Sequence, residues 1–368
     1  DTTLVQEAHV KIDKVFSALD VTAGRQFYGE PGDLIVYFGP RDNYGMNVSA
    51  LDAFRADWSN EHMNVTGVAG KTADGVLTAL GGAATDLRGL VVSCNKHEMV
   101  KPSAYVYNSV THATGALGSS TGKNTNLWVA GLKAKLAAGG LSASAEFAKN
   151  FGEDRSTPIN TNFKGWAFLG KAAYKVDLSD VGMFTPWGEL GYGTGDSNFE
   201  HAGNNNFQQI ATDYRPGGIY GRFDQGAAVV LGGGAGLSGN GGLGSNGLTN
   251  RTIWGVGIKA TPASVAKLTV GAQYYRYAFT RLPNNNPAVA FNSTRNSRNI
   301  GSEVDMTAEW KHSENVSLKA TAGSFLPGAY VNDLRRATTN NVVNPAVMLA
   351  GDVSIKFYAT FRSKAKGP

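Results

Sequence analysis

The sequence predicts an all-β protein: a transmembrane antiparallel up-and-down β-barrel of about 16 strands (the pattern admits roughly 14 to 18), with short periplasmic turns and long extracellular loops. Three observations predict it. Apolar residues recur at every second position through most of the 368 residues. No stretch approaches the roughly 18 uninterrupted apolar residues of a membrane helix. Connections alternate between short and long, which soluble β-repeats seldom sustain.

The clearest hairpin is LWVAGLKAKLAAGGLSASAEFAK, residues 127–149. Trp128, Ala130, Leu132, Ala134 and Leu136 alternate with Val129, Gly131, Lys133 and Lys135. After the small-residue centre, Leu141, Ala143, Ala145 and Phe147 alternate with Ser142, Ser144, Glu146 and Ala148. Period two means strand, and the short centre means a tight hairpin. In residues 7–16, Ala8, Val10, Ile12 and Phe16 stand opposite Glu7, His9, Lys11 and Asp13. Residues 50–58 place Phe54, Ala56 and Trp58 opposite Arg55 and Asp57, and residues 62–70 place Met63, Val65 and Ala69 opposite Asn64 and Thr66. Residues 163–176 form one long alternating run through Trp166, Phe168 and Tyr174. Residues 252–260, 303–311, 316–323 and 353–362 repeat the pattern.

Trp58, Trp128, Phe147, Trp166, Tyr174, Trp254, Trp310 and Phe361 fall near the ends of these runs, as aromatic girdles do at two lipid–water interfaces. Short links are 59–62, 137–140, 261–266 and 312–315, and long links are 71–85, 112–125, 195–250, 281–298 and 326–350. With the long links outside, about fifteen crossings are counted, and an even barrel needs one more. That strand is sought upstream of residue 5 or in Leu34–Phe38, because residues 20–50 alternate poorly. The chain reads as one barrel domain over residues 1–368, carrying a Gly-rich loop at 195–250. No charged-then-apolar leader opens it at Asp1, so a mature or trimmed end is expected.

Composition narrows the function. Forty-seven glycines and 17% charged residues suit many strands and tight turns. The net charge of +5 lacks any Lys/Arg block, so nucleic acid is not the expected partner. The single cysteine, Cys94, excludes a disulfide framework and reads as a packed hydrophobe on the apolar face. No cofactor and no metal site is implied. Asp196 and Asn198 are too few for calcium and read as turn formers. The six histidines are scattered and give no catalytic set, so no enzyme is expected.

Two patches carry a family resemblance. One is VTAGRQFYG at 21–29 followed by ALDAFRADWS at 50–59. The other is GYGTGDSN at 191–198 followed by NFQQIATDYRPGGIYGRFD at 206–224. Together they resemble the alginate-export outer-membrane porins. The resemblance implies a monomeric barrel with a basic lumen that passes anionic polysaccharide or small solutes. Arg25, Gln26 and Arg55 fall on its matching positions.

Alternation assigns an inward, pore-lining set: Lys11, Arg55, Asp57, Lys133, Lys135, Glu146, Lys171, Lys175, Glu189, Lys259, Glu303, Asp305, Glu309, Lys319, Lys356 and Arg362. Arg25 joins it through the resemblance. Charges inside a pore set its ion preference, and the basic excess predicts a weak preference for anions. The acids could equally neutralise the wall by pairing. In the long loop, Asp213, Tyr214, Arg215, Arg222 and Asp224 are the groups expected to meet solute if the loop enters the lumen rather than lying over the mouth. Its Gly-rich run, 229–250, lacks the Gly-Lys-Ser/Thr of a phosphate loop. The expected protein is thus a bacterial outer-membrane channel in contact with lipid and lipopolysaccharide, passing small hydrophilic, anionic solutes or an anionic polysaccharide. A plugged barrel that scaffolds a partner protein, or an outer-membrane enzyme, remain the alternatives.

Overall fold

A computed structural model of the chain describes residues 5–16, 18–41, 48–73, 85–112, 123–156, 160–196, 203–221, 247–282, 297–332 and 344–355. They form one 18-stranded sheet. In chain order the strands are β1 (Ala8–Val15), β2 (Leu19–Gln26), β3 (Leu51–Ser59), β4 (Met63–Ala73), β5 (Thr85–Cys94), β6 (Val100–Thr111), β7 (Thr125–Ala138), β8 (Leu141–Asp154), β9 (Thr161–Phe163), β10 (Trp166–Tyr174), β11 (Val176–Leu178), β12 (Gly182–Gly193), β13 (Gly203–Asn204), β14 (Arg251–Pro262), β15 (Leu268–Phe279), β16 (Asn299–Lys311), β17 (Val316–Pro327) and β18 (Ala346–Ile355).

Every long strand pairs antiparallel with its sequence neighbour, apart from the short pieces β9, β11 and β13, so the order is that of an up-and-down barrel. Fifteen strands are long; β9 and β13 form a small parallel pair at the long-loop end. β1 and β18 are the sheet's two edges, with no ladder between them among the described residues. The run at 163–176 is three strands rather than one. The chain breaks at Lys164–Gly165, and at Lys175 its amide turns away to the Gly140 carbonyl at 2.8 Å.

Register decides which residues share a face, since a slip of one residue would invert every side chain. Trp254 pairs with Arg276 and Gly255 with Tyr275, so aromatic and glycine rows alternate across the wall. The outer face is apolar and exposed: Leu132 is 64% exposed, Met306 62% and Leu349 85%. Single exposed hydrophobes are ordinary, but a continuous band of them around a sheet needs an apolar medium. Aromatic rings border this band. Near the long loops Trp166 lies 5.8 Å from Phe147 and 5.0 Å from Tyr192, and Trp254 lies 5.4 Å from Tyr274. Near the short turns stand Trp58, Tyr174 and Trp310.

The inner face uses large rings to cover small residues. Trp187 lies over Gly257 on the neighbouring strand, where an added Cβ would stand 2.7 Å from the indole. Such pairing fills the gap that a strand glycine leaves. Gly257→Val is therefore expected to destabilise the barrel by about 1–3 kcal/mol through overpacking. A lower midpoint of heat-modifiable migration in gels, with a shifted Trp emission, would register it; an unchanged midpoint would refute the packing role of Trp187.

Candidate functional site: the lumen and its two inserted segments

Two connections leave the long-loop end and fold into the lumen. The first follows β2. Tyr28 and Phe38 exchange backbone hydrogen bonds at 2.8 and 2.7 Å, closing a hairpin. Gly29 has φ +88°, and a Cβ there would collide with the Val36 carbonyl, so only glycine permits this close return. Leu34, Ile35, Val36, Tyr37 and Phe38 are all buried. Leu34–Phe38, the candidate sixteenth crossing, is thus no wall strand; it lies inside the barrel.

The second segment is 205–221. The Ala211 amide donates to the Ile35 carbonyl and the Tyr37 amide to the Ala211 carbonyl, both at 2.8 Å. Asp213 accepts from the Gly32 amide at 2.8 Å. The segments therefore satisfy each other's backbone groups, which buried loops must do. Against the wall, Asn150 of β8 acts as a surrogate peptide. Its side chain donates to the Gln208 carbonyl at 2.9 Å and accepts from the Gln208 amide at 2.7 Å.

The wall of β12 to β16 holds this second segment with acids. Glu303 accepts from the Ile219 amide at 2.6 Å, the Tyr220 amide at 2.9 Å and the Tyr277 hydroxyl at 3.2 Å. Asp305 accepts from the Gly218 amide at 2.9 Å and from Gln273 at 2.8 Å. Glu189 accepts from the Tyr214 hydroxyl at 2.9 Å, and burial first, then the Glu189 carboxylate, push that hydroxyl's pKa far up. Tyr220 stacks on Tyr277 with centroids 4.0 Å apart, and its hydroxyl accepts from the buried Arg251 guanidinium at 2.7 Å.

The facing wall, β3 to β10, is basic. Lys133 pairs with Asp33 and, at 3.4 Å, with Glu30, and Lys135 also pairs with Glu30. Both acids belong to the first segment. Arg55 pairs with Asp57 at 2.7 Å, and the Lys171 ammonium sits 5.1 Å from the centre of the Tyr214 ring. Lys101 projects exposed from β6 near Lys135. Beneath the inserted segments, toward the short turns, cavities of about 440 and 590 Å³ share Lys101 and Lys135 in their lining. The lumen is thus polarised, with free and bound cations on one side and loop-bound carboxylates on the other.

Burial raises the Glu30 carboxyl, but the Lys135 and Lys133 ammonium groups outweigh it and hold its pKa below its ordinary value of 4.5. A carboxyl depressed on folding contributes stability above its ordinary pKa and loses it as pH falls through the depressed value. The clamp on the first segment should therefore hold at neutral pH and release in acid. The protection factor of the Phe38 amide, its exchange measured against the unfolded rate at the same pH, is expected to fall below about pH 4 in the native chain. In Glu30→Gln the protection factor should be low across the whole pH range. Unchanged protection at about pH 3 would refute the clamp.

The structure places Lys11, Arg55, Asp57, Lys133, Lys135, Glu146, Lys171, Glu189, Lys259, Glu303, Asp305, Glu309 and Lys319 on the inner face, in register with one another. Lys11 pairs with Asp13 at 2.7 Å. Lys175 sits between β10 and β11 at the short-turn rim. Arg25 is a correction. It pairs in register with Ala8 and Asp52, on the outer face, and its guanidinium meets the Asp52 carboxylate at 3.1 Å. Its placement came from the resemblance, whereas ladder phase puts Thr22 and Gln26 inward instead. Asp213, Tyr214 and Arg215 are a second correction. They enter the lumen but do not face open space: Tyr214 is 2% exposed and the Arg215 side chain 3%. Asp213 accepts from the other segment and pairs with Arg215 at 3.0 Å, and Tyr214 donates to Glu189 of the wall. Glu146, Glu189, Glu303 and Asp305 likewise serve as buried acceptors, Glu146 taking the Tyr105 hydroxyl at 2.6 Å. Asp196 caps a turn, accepting from the Asn205 amide at 2.8 Å. Arg222, Asp224, Lys356, Arg362 and Asn198 lie outside the described residues.

Sequence reasoning missed Glu30, Asp33, Lys101, Asn150 and Tyr220. Lys101 sits at an inward position of an alternating run, so its signal was present. The others act through a fold-back that no period announces.

No protein-family profile matches the sequence, and no curated protein sequence matches it. Solved structures do. OccK11 (OpdR) of Pseudomonas aeruginosa superposes with a TM-score of 0.51 at 10% identity, covering 92% of this chain and 78% of that one. OccK5 (OpdH) of the same organism gives 0.51 at 9%, covering 93% and 79%. OpdQ, also from Pseudomonas aeruginosa, gives 0.50 at 13%, covering 85% and 74%. The fold is that of the OprD-like porin barrels. These likenesses do not distinguish the alginate-export porins from other porins of this fold.

Proposed function

We propose that the chain is a monomeric outer-membrane channel that passes small hydrophilic solutes down their gradient and favours anionic ones. The observation that carries this reading is the basic inner wall, where Lys101, Lys133, Lys135 and Lys171 face cavities beneath the two inserted segments. Cations there attract anions at the reduced dielectric of a narrow lumen. Neutralisation is partial: Lys133 and Lys135 meet Glu30 and Asp33, and Lys171 stands across the ladder from Glu189, but Lys101 has no acid within ion-pair distance among the described residues. The apolar outer band and its aromatic borders support a lipid setting. Small solutes are favoured over a polysaccharide because two buried segments cross the lumen at mid-height, whereas an extended polymer needs a clear path.

The test is single-channel recording in a planar bilayer with a salt gradient. Openings whose reversal potential shows anion preference are expected. Clear cation preference would overturn the anionic reading. A folded, heat-modifiable barrel that never conducts would overturn the channel reading in favour of a barrel plugged by its own loops.

A further inference from the structure

Among the described residues, the outward positions of β2–β18 carry charge only near the long-loop end. In register with the apolar rows stand Arg25, Lys71, Arg88, Lys149 and Arg276, against Asp52, Asp86 and Glu153, the last held by Arg155; Lys164 is exposed two residues before Trp166. Arg25 is matched to Asp52, and Lys71 and Arg88 flank Asp86. The other three have no acid within ion-pair distance among the described residues. Lys149 pairs in register with Trp166 and donates to the Lys164 carbonyl, so it stands beside one indole, while the Lys164 side chain runs alongside Gly203. Arg276 pairs in register with Trp254 and Ser302. Toward the short turns the outward positions of β2–β18 hold only uncharged residues such as Val92, Leu132, Ala172, Ile258, Met306 and Leu349.

We propose that Lys149 and Lys164, and separately Arg276 four strands further along the wall, bind phosphate groups of lipids in the leaflet at the long-loop end. The placement argues for a lipid-borne phosphate rather than a free one. The cations sit at the border of the apolar band, level with the aromatic girdle, where an acyl-anchored headgroup presents its phosphate while its chains cover the band below. An ammonium retains donors after one carbonyl contact, and a guanidinium presents a fork that matches phosphate oxygens. The opposite border offers no such cations on β2–β18, so the site also gives the barrel a preferred leaflet. The inference rests on the membrane reading of the barrel.

The test uses the purified, folded barrel in zwitterionic detergent, titrated with bis-phosphorylated lipid A and followed by native mass spectrometry. Retention of lipid A is expected, with dephosphorylated lipid A and inorganic phosphate failing to bind. K149Q/K164Q/R276Q is expected to weaken lipid A binding about a hundredfold, at about fivefold per near-surface cation. Equal binding by this variant, or by dephosphorylated lipid A, would overturn the proposal. Tight binding of inorganic phosphate alone would overturn its lipid assignment. The same variant is expected to keep its heat-modifiable migration and its single-channel conductance. A native barrel that retains no lipid A yet conducts would sink this site and leave the channel reading standing.

Discussion

Removing the carboxylates of Glu303 and Asp305 is expected to open the lumen. Together they accept three backbone amides of 218–220, the Tyr277 hydroxyl and the Gln273 amide. Both side chains are essentially fully buried, so no water replaces the lost acceptor. Each orphaned buried donor costs about 1–3 kcal/mol, and five together exceed what the remaining contacts of a short segment return. The second segment should therefore leave the wall in Glu303→Leu/Asp305→Leu. The stack of Tyr220 on Tyr277 and the Arg251–Tyr220 bond would go with it. Single-channel conductance should rise at least about twofold, because the segment stands where ions must pass. Glu303→Gln, which keeps an acceptor oxygen, should show a smaller rise. A double variant with native conductance would show that the segment does not limit flow. Wall strands keep their ladders in these variants, so the barrel should still migrate as folded.

The second large effect concerns selectivity. Lys101 and Lys171 lie on the basic wall, and neither pairs with an acid of the first segment. Lys101→Glu/Lys171→Glu changes four units of charge beside the cavities without touching the Glu30 and Asp33 clamps. Even at the dielectric constant of water, a unit charge about 4 Å from a passing ion is worth about 1 kcal/mol, a factor of about five in relative permeation. The reversal potential is expected to cross from anion to cation preference. Lys149→Glu, on the lipid face, should leave it unchanged and so serves as the control. A reversal potential that ignores the double change would place the selective region elsewhere in the lumen. High salt should flatten the contrast by screening, a further check that it is electrostatic.

The anchors and the clamps also explain why the inward acids and bases are not a simple list of pore charges. Glu146, Glu189, Glu303 and Asp305 read from the sequence as carboxylates on the polar face of alternating strands, and they do lie on that face. Their work was invisible because their partners are amides and hydroxyls 25 to 87 residues away. Lys133 and Lys135 read as free lumen cations, yet each meets an acid about 100 residues earlier, Lys133 both Asp33 and Glu30, and Lys135 Glu30.

Sequence by itself determined the wall. An alternation of period two leaves no choice about which residues share a face once a strand forms, and turn length then dictates antiparallel neighbours. The hairpin of residues 127–149 pairs as that rule requires, with Lys133 opposite Glu146 and Leu132 opposite Phe147. Tertiary structure decided the contents of the lumen. The stretches that alternate poorly, 27–40 and 205–221, have no strand period because they pair with each other and with side chains of distant strands rather than with a ladder neighbour. Register also moved Arg25 to the lipid side, since the phase of one strand is set by its partners and not by its own residues. Periodicity reports a face; only the closing of long loops onto that face reports which charges remain for a solute.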